Sequence, residues 1–358
     1  MPTQKLDNRE HPELQPAYGL WQLYQPENAP YRFQAVTRAD AETWQQRTRP
    51  ALRSTLGFTS LPAVPLAPQM MEEVDKGSYL RQKWLLHTWR GVLMPFYLLI
   101  PKQGRTPYPV VLALHGHGYG VKDIIGLWED GEERDIPEGY HKDFGIALCQ
   151  RGFLVAAPEI SCFGERQTDF SYLNTIIGQP LLTPCEHTAH LALHLGGSVI
   201  ALRAHDARCL MDYLETRADT DTSRLGAMGI SGGGMHTFFS TCLDERIRAC
   251  VISGYYSTFK DSILGMFHCD CNFAPGLHQF GEMYDLVGLI APRPVLIESG
   301  SYDPIFPRAA VVMSVDIARE KVYRVFGAED QVETDYFEGR HGISGVRAYD
   351  FLAEKLSL

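Results

Sequence analysis

Leu225-Gly-Ala-Met-Gly-Ile-Ser-Gly-Gly-Gly-Met235 runs from an apolar stretch fit for a buried strand, through glycines, into a helix-like segment. Inside it, Gly229-Ile230-Ser231-Gly232-Gly233 sets a glycine two places before the serine and another two places after. A serine on so sharp a strand-to-helix turn sits at strained backbone angles, and side chains on its neighbours would collide, so small residues are a steric requirement. The turn would hold the Ser231 hydroxyl above the carboxyl end of the strand, while the helix beginning there aims unpaired N–H groups at the same spot. Such a serine is a candidate nucleophile. The plain alternative is a glycine-rich turn with no chemistry. On the same steric reasoning Gly233 should reject a branched side chain, whereas Gly234, one residue into the helix, should tolerate alanine.

Working outward, the pattern repeats. Pro109–Leu114 is a continuous apolar run suited to a strand buried on both faces, and it empties into His115-Gly-His-Gly118. A helix near Asp143–Arg151 is followed by a strand at Phe153–Ala157, and a helix over Gly197–Thr216 by the strand Leu225–Gly229. A helix over Gly234–Leu243 then leads to a strand at Ala249–Ser253, and a further strand follows at Pro294–Glu298. Alternating strands and helices predict an α/β fold with a mostly parallel central sheet flanked by helices, its strand carboxyl ends gathered on one ligand-binding edge. Before this run, Tyr79–Trp84 and Val92–Ile100 flank Arg90-Gly91 and predict an antiparallel pair. Residues 1–66 read as an N-terminal extension with one helix, Thr37–Leu56, stopped by Gly57, and 67–358 as the main domain. Residues 160–195 form an unusually long connection with Phe163, Phe170, Tyr172, Leu181 and Leu182 among Gly and Pro, a candidate cap over a pocket.

The whole chain narrows the function. Lys and Arg number 33 against 43 Asp and Glu, a net charge of −10 in 358 residues, with no basic run to track a phosphate backbone, so no nucleic-acid partner is expected. No stretch approaches the roughly 18 uninterrupted apolar residues of a membrane span and the N-terminus lacks a signal-peptide core, so no membrane partner is expected either and the location should be cytoplasmic. Eight cysteines are scattered rather than framed as a disulfide scaffold. His268-Cys269-Asp270-Cys271 invites a metal reading, but zinc sites usually space cysteines by about two to four residues and need a second ligand pair, which does not follow in sequence. No metal and no cofactor are therefore expected.

A serine hydroxyl is a weak nucleophile at neutral pH and needs a base, with a third group to orient that base. After the strand Pro294–Glu298, Ser299-Gly-Ser-Tyr-Asp303 puts Asp303 on a loop at the carboxyl edge. After the strand-like Glu333–Phe337, Glu338-Gly-Arg-His341 does the same for His341. The order Ser231, Asp303, His341 is that of an α/β-hydrolase and differs from the chymotrypsin-like and subtilisin-like orders. Asp330, Asp335 and Glu298 are rival carboxylates that lack this placement. His236 should point away from Ser231 along its helix, and His268 and His278 are rivals for lining the pocket. An oxyanion would need two backbone N–H donors, for which Gly232 and His117 are the candidates, with the His115 side chain bracing the turn.

With these pieces in place the chain resembles the α/β-hydrolase superfamily, and within it the bacterial dienelactone-hydrolase-like and acetyl-xylan-esterase-like serine hydrolases. The similarity runs over most of residues 70–358. It rests on Leu114-His-Gly-His-Gly118, Phe163-Gly-Glu-Arg166, Gly229-Ile-Ser-Gly-Gly-Gly234, Cys271-Asn-Phe-Ala-Pro-Gly276 with Ala291-Pro-Arg-Pro294, and the Asp303 and His341 loops. Dienelactone hydrolases use a cysteine nucleophile where this chain has Ser231, which argues against their lactone substrate. The resemblance implies a cofactor-free serine esterase acting on a small-molecule ester, with Ser231 as nucleophile, His341 as base and Asp303 as orienting acid. It leaves the ester unnamed and homo-oligomerisation open. The alternatives are a prolyl-oligopeptidase-like peptidase, for which residues 1–66 are too short to form a screening propeller, and a non-catalytic binding protein of the same fold.

Overall fold

The computed structural model describes residues 6–169 and 184–357. Nine strands form one sheet: β1 (Gln69–Asp75), β2 (Tyr79–Trp89), β3 (Val92–Pro101), β4 (Tyr108–Leu114), β5 (Leu154–Pro158), β6 (Thr220–Ile230), β7 (Ala249–Ser253), β8 (Val295–Gly300) and β9 (Val332–Phe337). They lie in the order β1-β2-β3-β5-β4-β6-β7-β8-β9. β1, β2 and β3 pair antiparallel, as does β3 with β5, and every pairing from β5 to β9 is parallel. This is the mostly parallel α/β sheet expected. Every residue of β4, β5, β7 and β8 is buried, as strands covered on both faces require. The edge strand β1 is almost wholly exposed and carries Glu72 and Glu73, charges that discourage pairing with another chain.

Helices α1 (Pro16–Leu23), α2 (Arg38–Leu56), α3 (Phe144–Gln150), α4 (Pro184–His194), α5 (Val199–Leu214) and α6 (Gly232–Leu243) precede a long crossover from β8 to β9 that opens with a helix at Arg308–Ile317. Neither that crossover helix nor α1 is marked in the sequence pattern; α1 begins on proline and buries none of its residues. The expected cap at 160–195 falls partly outside the described residues, and its described portion ends in α4.

Two helices position the serine turn. α6 is buried along its whole length. Its last turn leaves carbonyls without intrahelical partners, and cationic side chains from two other elements fill them. Arg49 Nε and Arg53 Nη2 of α2 donate to Cys242 O and Leu243 O at 3.0 and 2.8 Å, and Arg293 Nη2 donates to Thr241 O at 2.6 Å. α2 itself starts where the sequence suggested, with the Thr37 side chain accepting from the Asp40 N–H, and stops at Gly57, φ +90°. It buries Ala41, Trp44, Thr48, Leu52 and Leu56, and its apolar members join the core cluster that also holds β4 and α6 side chains.

Candidate active site

Ser231 stands between the end of β6 and the start of α6 with φ +58° and ψ −119°, a conformation L-residues rarely adopt. The backbone around it leaves no room. A Cβ on Gly233 would lie 2.5 Å from His115 O and closer still to Leu114 O, and one on Gly229 would lie 2.7 Å from Thr237 Oγ1. Gly234 is confined too, though less severely, contrary to the sequence expectation. Its Cβ would come within 2.7 Å of Ser253 O and 2.8 Å of the Tyr255 Cβ, because the first turn of α6 presses on the end of β7.

The loops after β8 and β9 meet beside this turn. His341 Nδ1 lies 2.7 Å from Asp303 Oδ2, while Asp303 Oδ1 accepts the N–H groups of Ile305 and Phe306, both at 3.0 Å. The carboxylate is therefore held by three donors. With the Nδ1 proton committed to Asp303, Nε2 of His341 is left an acceptor, and it is buried without a hydrogen-bond partner among the described residues. Ser231, His341, Gly232 and His117 line one cavity of about 300 Å³, with Tyr140, Tyr255, Phe267, His268, Phe306 and their neighbours. Among the described residues that line it, none is Lys, Arg, Asp or Glu.

The rival side chains are occupied elsewhere. Asp335 accepts from the Ser344 hydroxyl and the Arg347 N–H, and Glu298 from the Ser253 hydroxyl and the Gly345 N–H. Asp330 accepts from Gln331 at the surface. His236 bonds Arg203 O on the far side of α6, and burial lowers its pKa to about 3. His268 does line the cavity, its ring tilted at 59° to that of Phe306 with centroids 5.2 Å apart, and its Nε2 3.1 Å from Ser262 Oγ. His278 borders a separate apolar cavity of about 380 Å³, floored by Phe259 and Leu277 and edged by Leu20 and Leu23 of α1; the two cavities share Asn272.

The His115–Gly118 turn is braced from behind. His115 is fully buried, its Nδ1 2.8 Å from Gly116 O and its Nε2 accepting from the Ile160 N–H. Gly116 N–H donates to His141 Nε2 at 2.8 Å, and His141 Nδ1 lies 2.8 Å from Asp123 Oδ2, while the Asp123 carboxylate also takes Arg134. Burial pushes the His141 pKa down, keeping the imidazole neutral and able to accept at Nε2. Sequence reasoning missed both His141 and Tyr140. The Tyr140 hydroxyl donates to His117 O and also lies in hydrogen-bond reach of Ser231, while its ring lies 5.4 Å from that of His341. Burial raises its pKa far above the usual phenol range, so it is a neutral donor. Both come from the long β4–β5 connection, where no periodicity marks them.

The Abhydrolase family profile matches residues 16–338. The chain belongs to the Abhydrolase family. Among relatives of this Abhydrolase member, the Bacillus subtilis hydrolase candidate YtaP is 28% identical over 244 residues, 66% of this chain and 74% of that one. A carboxymethylenebutenolidase candidate of Yersinia pestis is 24% identical over 170 residues, 45% of this chain and 49% of its own. Among solved structures, an acetyl xylan esterase candidate from Bacteroides fragilis superposes with a TM-score of 0.73 at 18% identity, covering 90% of this chain and 82% of that one. The match establishes a shared fold, in keeping with the dienelactone-hydrolase-like and acetyl-xylan-esterase-like resemblance. No helix among the described residues is long and apolar enough to cross a membrane.

Proposed function

We propose that this Abhydrolase member is a serine hydrolase that cleaves carboxylic esters through Ser231, His341 and Asp303. The observation that carries the reading is the buried Nε2, without a hydrogen-bond partner among the described residues, of a histidine whose Nδ1 is tied to a fixed carboxylate, in the same cavity as a serine held at φ +58°. Nε2 takes the Ser231 proton as Oγ attacks the ester carbonyl, and Asp303 offsets the imidazolium that forms. The tetrahedral oxyanion is held by the N–H groups of Gly232 and His117, and collapse expels the alcohol with the proton from His341. Water, deprotonated by the same nitrogen, then attacks the acyl-enzyme and releases the acid. The esterase name of the structural neighbour supports the ester as substrate class, and a cavity wall without Asp, Glu, Lys or Arg among the described residues favours a neutral, small one.

A fluorophosphonate probe with peptide mapping tests the first step. The label belongs on Ser231, Ser231→Ala should remove it together with about four to six orders of magnitude of turnover on 4-nitrophenyl acetate, and a label on any other serine sinks the assignment.

A further inference from the structure

Beside the cavity lies a cluster that the proposed reaction does not use. His117, Cys185, Cys269 and Cys271 bring their ligand atoms to within 4.8 Å of one another. They come from three places in the chain: the turn after β4, the first turn of α4, and the short helical turn Asp270–Asn272 against which α4 packs. The second ligand pair that the His268–Cys271 motif lacked in sequence is supplied by folding. We infer that these four side chains form a Cys₃His site for a zinc-type divalent ion, next to the catalytic cavity.

The geometry is close to what such an ion needs. Tetrahedral zinc with Zn–S of about 2.3 Å sets its ligand atoms about 3.4–3.8 Å apart. Cys271 Sγ and His117 Nε2 already stand 3.7 Å apart. The remaining pairs lie no more than 4.8 Å apart.

Charge and hydrogen bonding supply the second argument. Three thiolates, a neutral imidazole and a divalent ion sum to −1. Arg203, 1% exposed, lies against the cluster with Nη2 3.6 Å from Cys185 Sγ. Its only other hydrogen-bond partner among the described residues is Ser161 O, its Nε and Nη1 have none, and its Cζ stands 5.7 Å from the centre of the Phe163 ring. A buried guanidinium without a carboxylate is costly unless an anion faces it, and a metal-thiolate centre of charge −1 is such an anion. Asn272 Nδ2 likewise points at Cys271 Sγ, at 3.8 Å. Donors aimed at the sulfurs suit thiolates, and ligands held by a surrounding set of such donors are the rule in metal sites. Cys269 also lines the cavity, which gives the ion a way in.

Binding releases the three thiol protons to solvent. It also has a consequence for the turn after β4. With Nε2 on the metal, the His117 proton must sit on Nδ1, the nitrogen facing Gly232, where a Cβ would lie 3.0 Å from it. The ion would thus fix the tautomer and the position of the residue whose N–H we propose as an oxyanion donor. The site itself stands independently of that reading, since the metal content of Ser231→Ala should equal the parent's.

The test is elemental analysis of the full chain purified without chelator from zinc-supplemented cells, where about one zinc per chain is expected. Cys271→Ser should bring this below about a tenth, while the control Cys149→Ala, on α3, keeps it. Should Cys271→Ser not fold, cobalt exchanged into the parent decides: intense tetrahedral d–d bands with thiolate charge transfer are the expected signature, and an octahedral spectrum overturns the site. A parent without zinc after incubation with the ion, whose eight thiols all titrate, overturns it as well. So does an intact mass lower by about 2 Da, the mark of a disulfide within the nest, to which Cys162 beside Cys185 also belongs.

Discussion

Gly254 follows β7 at φ +48°, directly beneath the histidine proposed as the base. A Cβ there would stand 2.9 Å from His341 Cε1, 3.1 Å from its Nδ1 and 3.6 Å from Asp303 Oδ2. Ordinary contact begins at about 3.5 Å, so Gly254→Ala must push the imidazole by about 0.5 Å. The ring has little freedom to comply, because Tyr140 lies 5.4 Å away and Phe306 stacks at 5.9 Å, and the Asp303 bond tethers Nδ1. The cost is twofold. Alanine in the left-handed region adds roughly 1–2 kcal/mol to the folded state, which lowers the melting temperature by a few degrees. Misplacing the base by half an ångström should lower kcat by about 10- to 100-fold, with KM nearly unchanged since the cavity wall is intact. Thermal unfolding and steady-state hydrolysis of 4-nitrophenyl acetate measure both. A variant that melts a few degrees lower yet keeps kcat within twofold of the parent would show that His341 is not the base, or is not held where the geometry puts it.

Further outcomes are specific. Asp303→Asn should keep the fold and lower turnover by roughly four orders of magnitude near neutral pH, because an amide cannot hold the required tautomer and offset the imidazolium; Asp335→Asn, whose partners are Ser344 and Arg347, should stay within about tenfold. Gly233→Ala and Gly234→Ala should both impair soluble expression or activity, and a Gly234→Ala protein indistinguishable from the parent in melting temperature and turnover would contradict the packing of α6 on β7. Glu133 has its pKa lowered to about 2 by the Arg81 hydrogen bonds and by Lys76, so its contribution to stability is complete above its ordinary 4.5 and is lost as pH falls toward 2. Because the Glu133 side chain is 46% exposed, that contribution is no more than about 1 kcal/mol, and the stability gap between parent and Glu133→Gln should shrink between pH 6 and pH 3; a gap independent of pH refutes the pairing.

The parts legible in sequence are those fixed by local sterics and by strand order. A serine between spaced glycines, an aspartate just past β8 and a histidine just past β9 can be read because each comes after an apolar run with a strand's length. The glycine roles were only half legible: Gly233 is tight against residues 114 and 115, as the turn demands, but the closeness of Gly234 to Ser253 depends on how α6 lies on a strand not yet made. Tyr140 and His141 sit in an aperiodic connection and acquire their places from the strands they cross, so no local signal marks them. The metal site proposed above is hidden from the sequence for the same reason. Spacing along the chain tests for a metal site only when the ligands are neighbours in sequence, and here Cys185 and His117 arrive from 84 and 152 residues before Cys269.

The strain at Ser231 raises the question of what sustains it. A residue at φ +58° costs on the order of 1–3 kcal/mol and persists only where its surroundings over-determine it. Ser231 N–H donates to Ser253 O at 3.0 Å and Met235 N–H to Ser231 O at 2.9 Å, which fixes the residue from both sides, and Gly233 and Gly234 lie tight against Leu114 O and Ser253 O. The other end of α6 is held as well. The guanidinium groups of Arg49, Arg53 and Arg293 fill the terminal carbonyls of a helix whose C-terminus carries partial negative charge. Two of the three belong to α2, so the helix read from sequence as part of an N-terminal extension packs as a brace on α6. Releasing those carbonyls would remove one of several restraints on α6, beside the close approach of Gly233 to Leu114 O and of Gly234 to Ser253 O. The serine turn is thus held through α6 by residues of α2 as well as by the glycines around it.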